Sequence, residues 1–235
     1  MVTTAKPTAL IVGAGSGLSG SLARQCAAAG MGVALAARNP DKLQSLSKEI
    51  SAKAYRCDAS EPAQVESLFA ALERDTGVPE LVVYNPSYRV RGPFLGLDPA
   101  EVKKTLMVTA YGGFLVAQAA LKRMAPRGSG SLFFTGASAS TKGYAESAPF
   151  AMGKFALRGL AQSLAREMGP RGIHVAHFII DGGILRVSDD PRAAGRGDDG
   201  MLKPDAIAQT YLDVHRQHRS AWTFELDLRP WAERF

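Results

Sequence analysis

The stretch from Ala9 to Cys26 restricts the possible folds more than any other part of the chain. A short apolar run, Ala9–Val12, leads directly into Gly13-Ala-Gly-Ser-Gly17-Leu-Ser19-Gly20, and Leu18, Leu22 and Cys26 then recur at helical spacing. Strand, glycine-rich turn and helix in immediate succession let the backbone approach a pyrophosphate, with the helix amino terminus aimed at it. The spacing Gly15-x-Gly17-x-x-Gly20 carries little by itself. Its context gives it weight: a strand before, a helix after, and a second strand about twenty residues on. Gly13, Gly15, Ser16, Gly17 and Leu18 are therefore the expected phosphate-binding residues.

The rest of the chain repeats the same grammar. Strands are expected at Ala9–Val12, Gly32–Ala37, Lys53–Cys57, Leu81–Tyr84, Ser131–Thr135, His174–Ile180 and Thr223–Leu228. Helical spacing separates them: Val65, Leu68, Phe69 and Leu72, then Leu157, Leu160, Leu164 and Met168 after Ala148, closed by Pro170–Gly172. Strand and helix in alternation predict an α/β fold, a parallel sheet with helices on both faces. Trp222, Phe224, Leu226 and Leu228 alternate with polar residues, as an edge strand would. Residues 181–203 lack periodicity and are rich in Gly, Asp and Arg; following a strand's carboxyl end, they predict a lid over a ligand. No linker or repeat divides the chain, so residues 1–235 are expected to form one domain.

Charge and composition narrow the partners. The net charge of +6 comes from 28 basic and 22 acidic residues, but the basic ones are scattered. The nearest cluster, Arg186, Arg192 and Arg196, is interspersed with Asp189, Asp190, Asp198 and Asp199, so no nucleic acid is expected. No apolar run approaches the roughly 20 residues of a membrane span, and no leader is apparent, so the expected location is cytoplasmic. Cys26 and Cys57 are too few for a disulfide framework. His174 and His177 lie three apart in a strand and face opposite ways. His215 and His218 share a helix face by spacing but lack further ligands, and the Asp pairs lack calcium-loop spacing; no metal is expected.

The second strand ends in Arg38-Asn39. An NAD site would place an acidic residue there for the adenosine ribose, whereas a guanidinium suits a 2′-phosphate. NADP(H) is thus preferred over NAD(H).

These features resemble the short-chain dehydrogenase/reductase family over essentially the whole chain. Gly13-x-x-x-Gly17-x-Ser19 is similar to its glycine motif, with Ser19 in place of the last Gly. Cys57-Asp58 resembles its adenine-contacting Asp, Asn85-Pro86-Ser87 its segment after the fourth strand, and Gly136-Ala-Ser138 its catalytic Ser segment. Lys154 and the helix after it match the family's active-site helix, and Asp181-Gly182 stands for its Pro-Gly. The resemblance implies a Rossmann-type, doubly wound, seven-stranded parallel sheet. It also implies cofactor contacts at Asp58, Asn85, Lys154 and Gly182, and a homodimer or homotetramer built through the long helices and last strand.

The family places a proton-donating Tyr four residues before the Lys. Here that position is Phe150, on the same helix face as Lys154. Thr109 stands where the family has an Asn, and the variant with Tyr seven residues before Lys fails at Ser147. The resemblance therefore implies hydride transfer to or from a carbonyl or alcohol, oriented by Ser138 and Lys154, with an altered proton donor: Tyr144, or water held by Ser138 and Lys154. The alternative is a catalytically silent NADP(H) sensor or scaffold. Tyr144, Ile184, Leu185 and Arg186 point to a mixed apolar substrate pocket with an anion contact.

Overall fold

The protein is described by a computed structural model at residues 6–186 and 190–232. The run Thr8–Val12 forms β1 and is buried at every position. Five apolar or β-branched residues with no alternation require cover on both faces, which is what parallel strands receive. β2 (Gly32–Ala37), β3 (Lys53–Arg56), β4 (Leu81–Tyr84), β5 (Gly130–Thr135), β6 (Ile173–Ile180) and β7 (Glu225–Leu228) complete a seven-stranded sheet in the order β3-β2-β1-β4-β5-β6-β7. Every pairing is parallel. The order reverses direction between β1 and β4, which opens a crevice at the carboxyl ends of those strands.

The helices are α1 (Leu18–Ala28), α2 (Gln44–Glu49), α3 (Pro62–Thr76), α4 (Pro99–Leu106), α5 (Gly112–Arg127), α6 (Ala148–Met168) and α7 (Pro204–His215). Alternate residues of each strand feed two cores. Leu10, Val12, Tyr84 and Phe134 join Phe69, Val116 and Leu157 from α3, α5 and α6. Ala9, Ile11, Phe133 and Phe178 join Leu22, Ile207 and Tyr211 from α1 and α7. The Phe178 and Tyr211 rings stack with centroids 3.6 Å apart.

A π-helical turn, Met107–Tyr111, joins α4 to α5 without a break. It carries the fully buried Thr109. Beyond it the helix presses on its neighbours: a Cβ on Gly112 would lie 2.5 Å from the Tyr84 hydroxyl, and one on Gly113 would lie 2.6 Å from Leu157 Cδ1.

Two expectations need correction. His218 lies outside α7, which ends at His215, so the two histidines do not share a helix face; His218 instead accepts a hydrogen bond from Ser220 N. Strand pairing of β7 starts only at Glu225, opposite His177, so the alternation expected from residue 222 is broken. Phe224 packs on the α5–α6 core, Leu226 and Leu228 on the α7 core, and Trp222 stacks on His174 at 4.7 Å. Those side chains pack within the chain while remaining partly exposed. The segment 181–203 is tied at both ends: Ile184 bridges Leu202, and Arg192, paired with Asp190, donates to the Ile184 carbonyl. Val187, Ser188 and Asp189 lie outside the described residues. Among the described residues no helix is long and apolar enough to cross a membrane.

The helices before β5 and β6 end on back-to-back glycines, Gly128 (φ +68°) and Gly172 (φ +81°), where a Cβ on Gly172 would lie 2.2 Å from the Gly128 carbonyl oxygen. Gly172→Ala is expected to lower stability by at least about 1–2 kcal/mol, read from urea denaturation midpoints. Gly159→Ala, in open space on α6, is the control, expected to stabilise by roughly 0.5–1 kcal/mol.

Candidate active site

The glycine turn is held from three sides. Gly13 and Ala14 donate their N–H groups to the Ala36 carbonyl at the end of β2, at 2.9 and 3.0 Å. Gly13 has φ +77°, and a Cβ there would meet Pro86 at 2.7 Å. The Ser19 hydroxyl donates to the Gly13 carbonyl at 3.0 Å and accepts from Asn85 Nδ2 at 2.6 Å. Asn85, at the end of β4, thus braces the turn through Ser19. Gly20 is a close-approach glycine, its Cβ position 2.9 Å from the Gly15 carbonyl oxygen, whereas Gly15 and Gly17 face open space. The Leu18 side chain belongs to the core, so only its backbone N–H remains for a ligand.

Beside this turn lies a cleft of about 570 Å³, lined by Gly13, Gly15 and Ser16 from the turn, by Arg38, Asn39 and Lys42 after β2, and by Asp58 and Asn85 after β3 and β4. No carboxylate from the end of β2 enters it. Lys42 was missed by sequence reading, although it lies four residues after Arg38 with Pro40 opening a helical turn between them. The Asp58 carboxylate accepts from Ser60 N and Oγ, which fixes its orientation.

Ser138, Phe150 and Lys154 lie outside the lining of that cleft. Ser138 starts a single 3-10 turn, Ser138–Ser140, packed against α6; its carbonyl accepts from Thr141 and Lys142. Lys154 is buried, and its ammonium donates to the Thr135 carbonyl at 2.7 Å. Burial pushes its pKa down to about 8. The Lys154 Nζ sits 5.8 Å from the centre of the Phe150 ring, and the Arg89 guanidinium carbon sits 4.9 Å from the same ring. Tyr144 is 45% exposed, with Lys142 5.8 Å from its ring centre; its contacts lie on that side rather than with Lys154. Gly182 (φ +150°) packs on Pro230 and Leu202, away from the cleft lining. Thr109 lies against Gly153, one residue before Lys154, and its hydroxyl accepts from Tyr88 N.

Behind the Ser138 turn runs a buried chain of hydrogen bonds that the sequence did not reveal. Ser140 Oγ accepts from Ala137 N at 3.1 Å and lies 3.4 Å from His177 Nε2, whose Nδ1 is 2.9 Å from Glu225 Oε2. Arg158 closes the chain with two bonds to Glu225, both 2.7 Å. Burial holds the His177 pKa below its usual value against the opposing pull of Glu225. A histidine and a glutamate 48 residues apart leave no local sequence signal of this pairing. The described residues contain no cluster of His, Cys, Asp and Glu able to hold a metal.

The order of the sheet and the cleft at its carboxyl edge define a doubly wound α/β protein of the Rossmann type. The enoyl-(acyl carrier protein) reductase family profile matches residues 13–188. A crystal structure of a short-chain dehydrogenase from Rhodopseudomonas palustris is 33% identical, with a TM-score of 0.82, covering 96% of this chain and 99% of that one. This chain belongs to the short-chain dehydrogenase/reductase family. D-threitol dehydrogenase of Mycolicibacterium smegmatis is 26% identical over 172 residues, covering 71% of this chain and 66% of its own length. The chain spans smaller shares of the next two curated relatives. A metagenomic short-chain oxidoreductase crystallised with NADP shares the fold, at 23% identity and a TM-score of 0.82, covering 95% of this chain and 97% of that one.

The buried ammonium sets a pH dependence. Between about pH 8 and 10.5 the native state has released the Lys154 proton while the unfolded chain still holds it, so stability rises with pH across that window. Lys154→Met should therefore be more stable than wild type at pH 7. That advantage should shrink on the order of 2–3 kcal/mol by pH 10, as measured by urea denaturation of both proteins across that range.

Proposed function

We propose that the protein is an NADP(H)-dependent oxidoreductase that reduces a carbonyl group or oxidises the corresponding alcohol. The observation that carries this reading is the pair of cations, Arg38 and Lys42, that line the same cleft as the glycine turn. Two positive charges following β2, with no carboxylate there, suit a 2′-phosphate and disfavour a bare ribose 2′-hydroxyl. The backbone of Gly13, Gly15, Ser16, Gly17 and Leu18 would hold the pyrophosphate, Asp58 the adenine, and Asn85, Lys154 and Gly182 the nicotinamide half. The open space before Gly15 and Gly17 fits a phosphate group, and the complex of the metagenomic relative with NADP agrees with the assignment.

When bound, the reduced dinucleotide supplies a hydride. The chain's own part is to hold the substrate oxygen and deliver a proton to it. Ser138 supplies a hydroxyl at the carboxyl end of β5. Phe150 has no proton to give, and we assign that task to the Lys154 ammonium acting through a water held with Ser138. With a pKa near 8, the ammonium is charged at neutral pH yet releases its proton readily. Tyr144 is the other candidate. Carbonyl reduction is expected to decline as pH rises through about 8, because the acid must be protonated.

Phe150 also favours a second reading, a binding protein of the same fold that senses NADP(H) without turnover. NADPH consumption with a panel of aldehydes, ketones and quinones separates the two. Turnover by wild type that survives in Tyr144→Phe supports the lysine–water route, and its loss there makes Tyr144 the acid. A silent wild type beside an active Phe150→Tyr supports the sensor. For assembly, Tyr111, Phe114, Met152 and Phe155 leave α5, α6 and the turn before α5 with large exposed apolar side chains, and a second copy of the chain is the proposed cover.

Arg38→Ala is expected to weaken NADPH binding by about 10–100-fold and NADH binding hardly at all, measured by equilibrium titration. Equal losses for both would remove the basis of the 2′-phosphate assignment.

A further inference from the structure

The Phe150 ring is bracketed by two cations, Arg89 at 4.9 Å and Lys154 at 5.8 Å, and neither has a carboxylate partner among the described residues. Of the acids of the neighbouring elements, three are committed elsewhere, while Glu146 in the adjoining loop is exposed. Glu101 bonds Tyr88 and Lys104, Glu225 bonds Arg158 and His177, and Asp181 faces Lys142 and Arg229. Arg91 adds a third positive charge nearby, and both burial and Arg91 lower the Arg89 pKa. Arg89 is itself exposed, so its guanidinium, beside like charge, is open to an anion arriving from solvent, which would offset that charge.

Arg89 is also held in place. The residue before it is anchored twice, by Tyr88 N donating to Thr109 Oγ1 and by the Tyr88 hydroxyl donating to Glu101. Three residues after it, Gly92 N donates to the Glu146 carbonyl at 3.1 Å, which joins this loop to the one carrying Tyr144. The Phe150 face, with its electron-rich π surface, positions the guanidinium itself. A tyrosine at 150 would offer the same ring, but its hydroxyl would compete for the space between ring and substrate.

We propose that Arg89 binds a carboxylate on the substrate, so that the site accepts carbonyl compounds that are also carboxylic acids. Resting on the oxidoreductase reading, the arrangement places the substrate carbonyl at Ser138 and Lys154 and its carboxylate on the guanidinium, within the length of one small molecule. The planar fork of the guanidinium matches a carboxylate with two parallel hydrogen bonds.

The test uses two acid–ester pairs: benzoylformate and its methyl ester, and 4-carboxybenzaldehyde and its methyl ester. Each is titrated calorimetrically into the protein alone and into the protein saturated with NADP⁺. At least one acid is expected to bind about ten-fold or more tightly than its ester. Arg89→Gln should abolish that preference and Arg89→Lys should retain part of it, with NADP⁺ affinity unchanged in both. Acids and esters that bind alike, or fail alike, overturn the proposal, as does a preference that survives Arg89→Gln. Failure of NADP⁺ to bind overturns the cofactor reading instead, and the acid–ester comparison on the protein alone then decides the role of Arg89.

Discussion

A lysine ammonium inside a protein needs an acceptor, and among the described residues Lys154 has a single one, the backbone carbonyl of Thr135 at 2.7 Å. That bond fastens the middle of α6 to the end of β5, where the chain turns into Gly136, Ala137 and Ser138. The surroundings accommodate it. Thr135 uses its hydroxyl on Tyr211, 2.9 Å away in α7, and Gly153 leaves room for Thr109 beside the lysine. Gly136 leaves room for the His177 ring, which would lie 2.3 Å from a Cβ there. Four separate elements thus converge on one strand end, because a charge brought out of water without a counter-charge must be placed tightly to be tolerated.

The parallel sheet explains why these groups collect at one edge. Every strand runs the same way, so every strand's carboxyl end, and the turn after it, lies on the same side of the molecule. The glycine turn follows β1, Arg38 follows β2, Asp58 follows β3, Asn85 follows β4 and Ser138 follows β5. Each of the first five strands thus delivers one candidate site residue to the same edge of the sheet, without any two being close in sequence.

This also accounts for what could be read from the residues alone. Gly32–Ala37 and Leu81–Tyr84 match their strands end to end, because each is a short apolar run bounded by turn residues. The glycine turn and Arg38 were legible for the same reason: their chemistry is local. Arg89 over Phe150 and Glu225 on His177 were not, since each joins segments about fifty residues or more apart whose adjacency only the sheet creates. Trp222–Leu228 misled for a related reason. Its spacing is that of a strand, but ladder pairing begins only at Glu225, and the residues before it answer to local packing against His174 and Gln217.

The π turn at Met107–Tyr111 carries an evolutionary consequence. It inserts a wider turn into an otherwise continuous helix, and each helical residue turns the chain by about 100°. Deleting one residue there would close the π turn to an ordinary α turn, which leaves Gly112 and Gly113 facing Tyr84 and Leu157. The length of this stretch can therefore shrink by one residue, whereas the two glycines after it are fixed by what they touch. Among descendants of this chain, a lineage that lost a single codon between 107 and 111 would keep the seam between α5 and the sheet and would feel the loss first at Thr109, which sits against Gly153 and accepts from Tyr88 N.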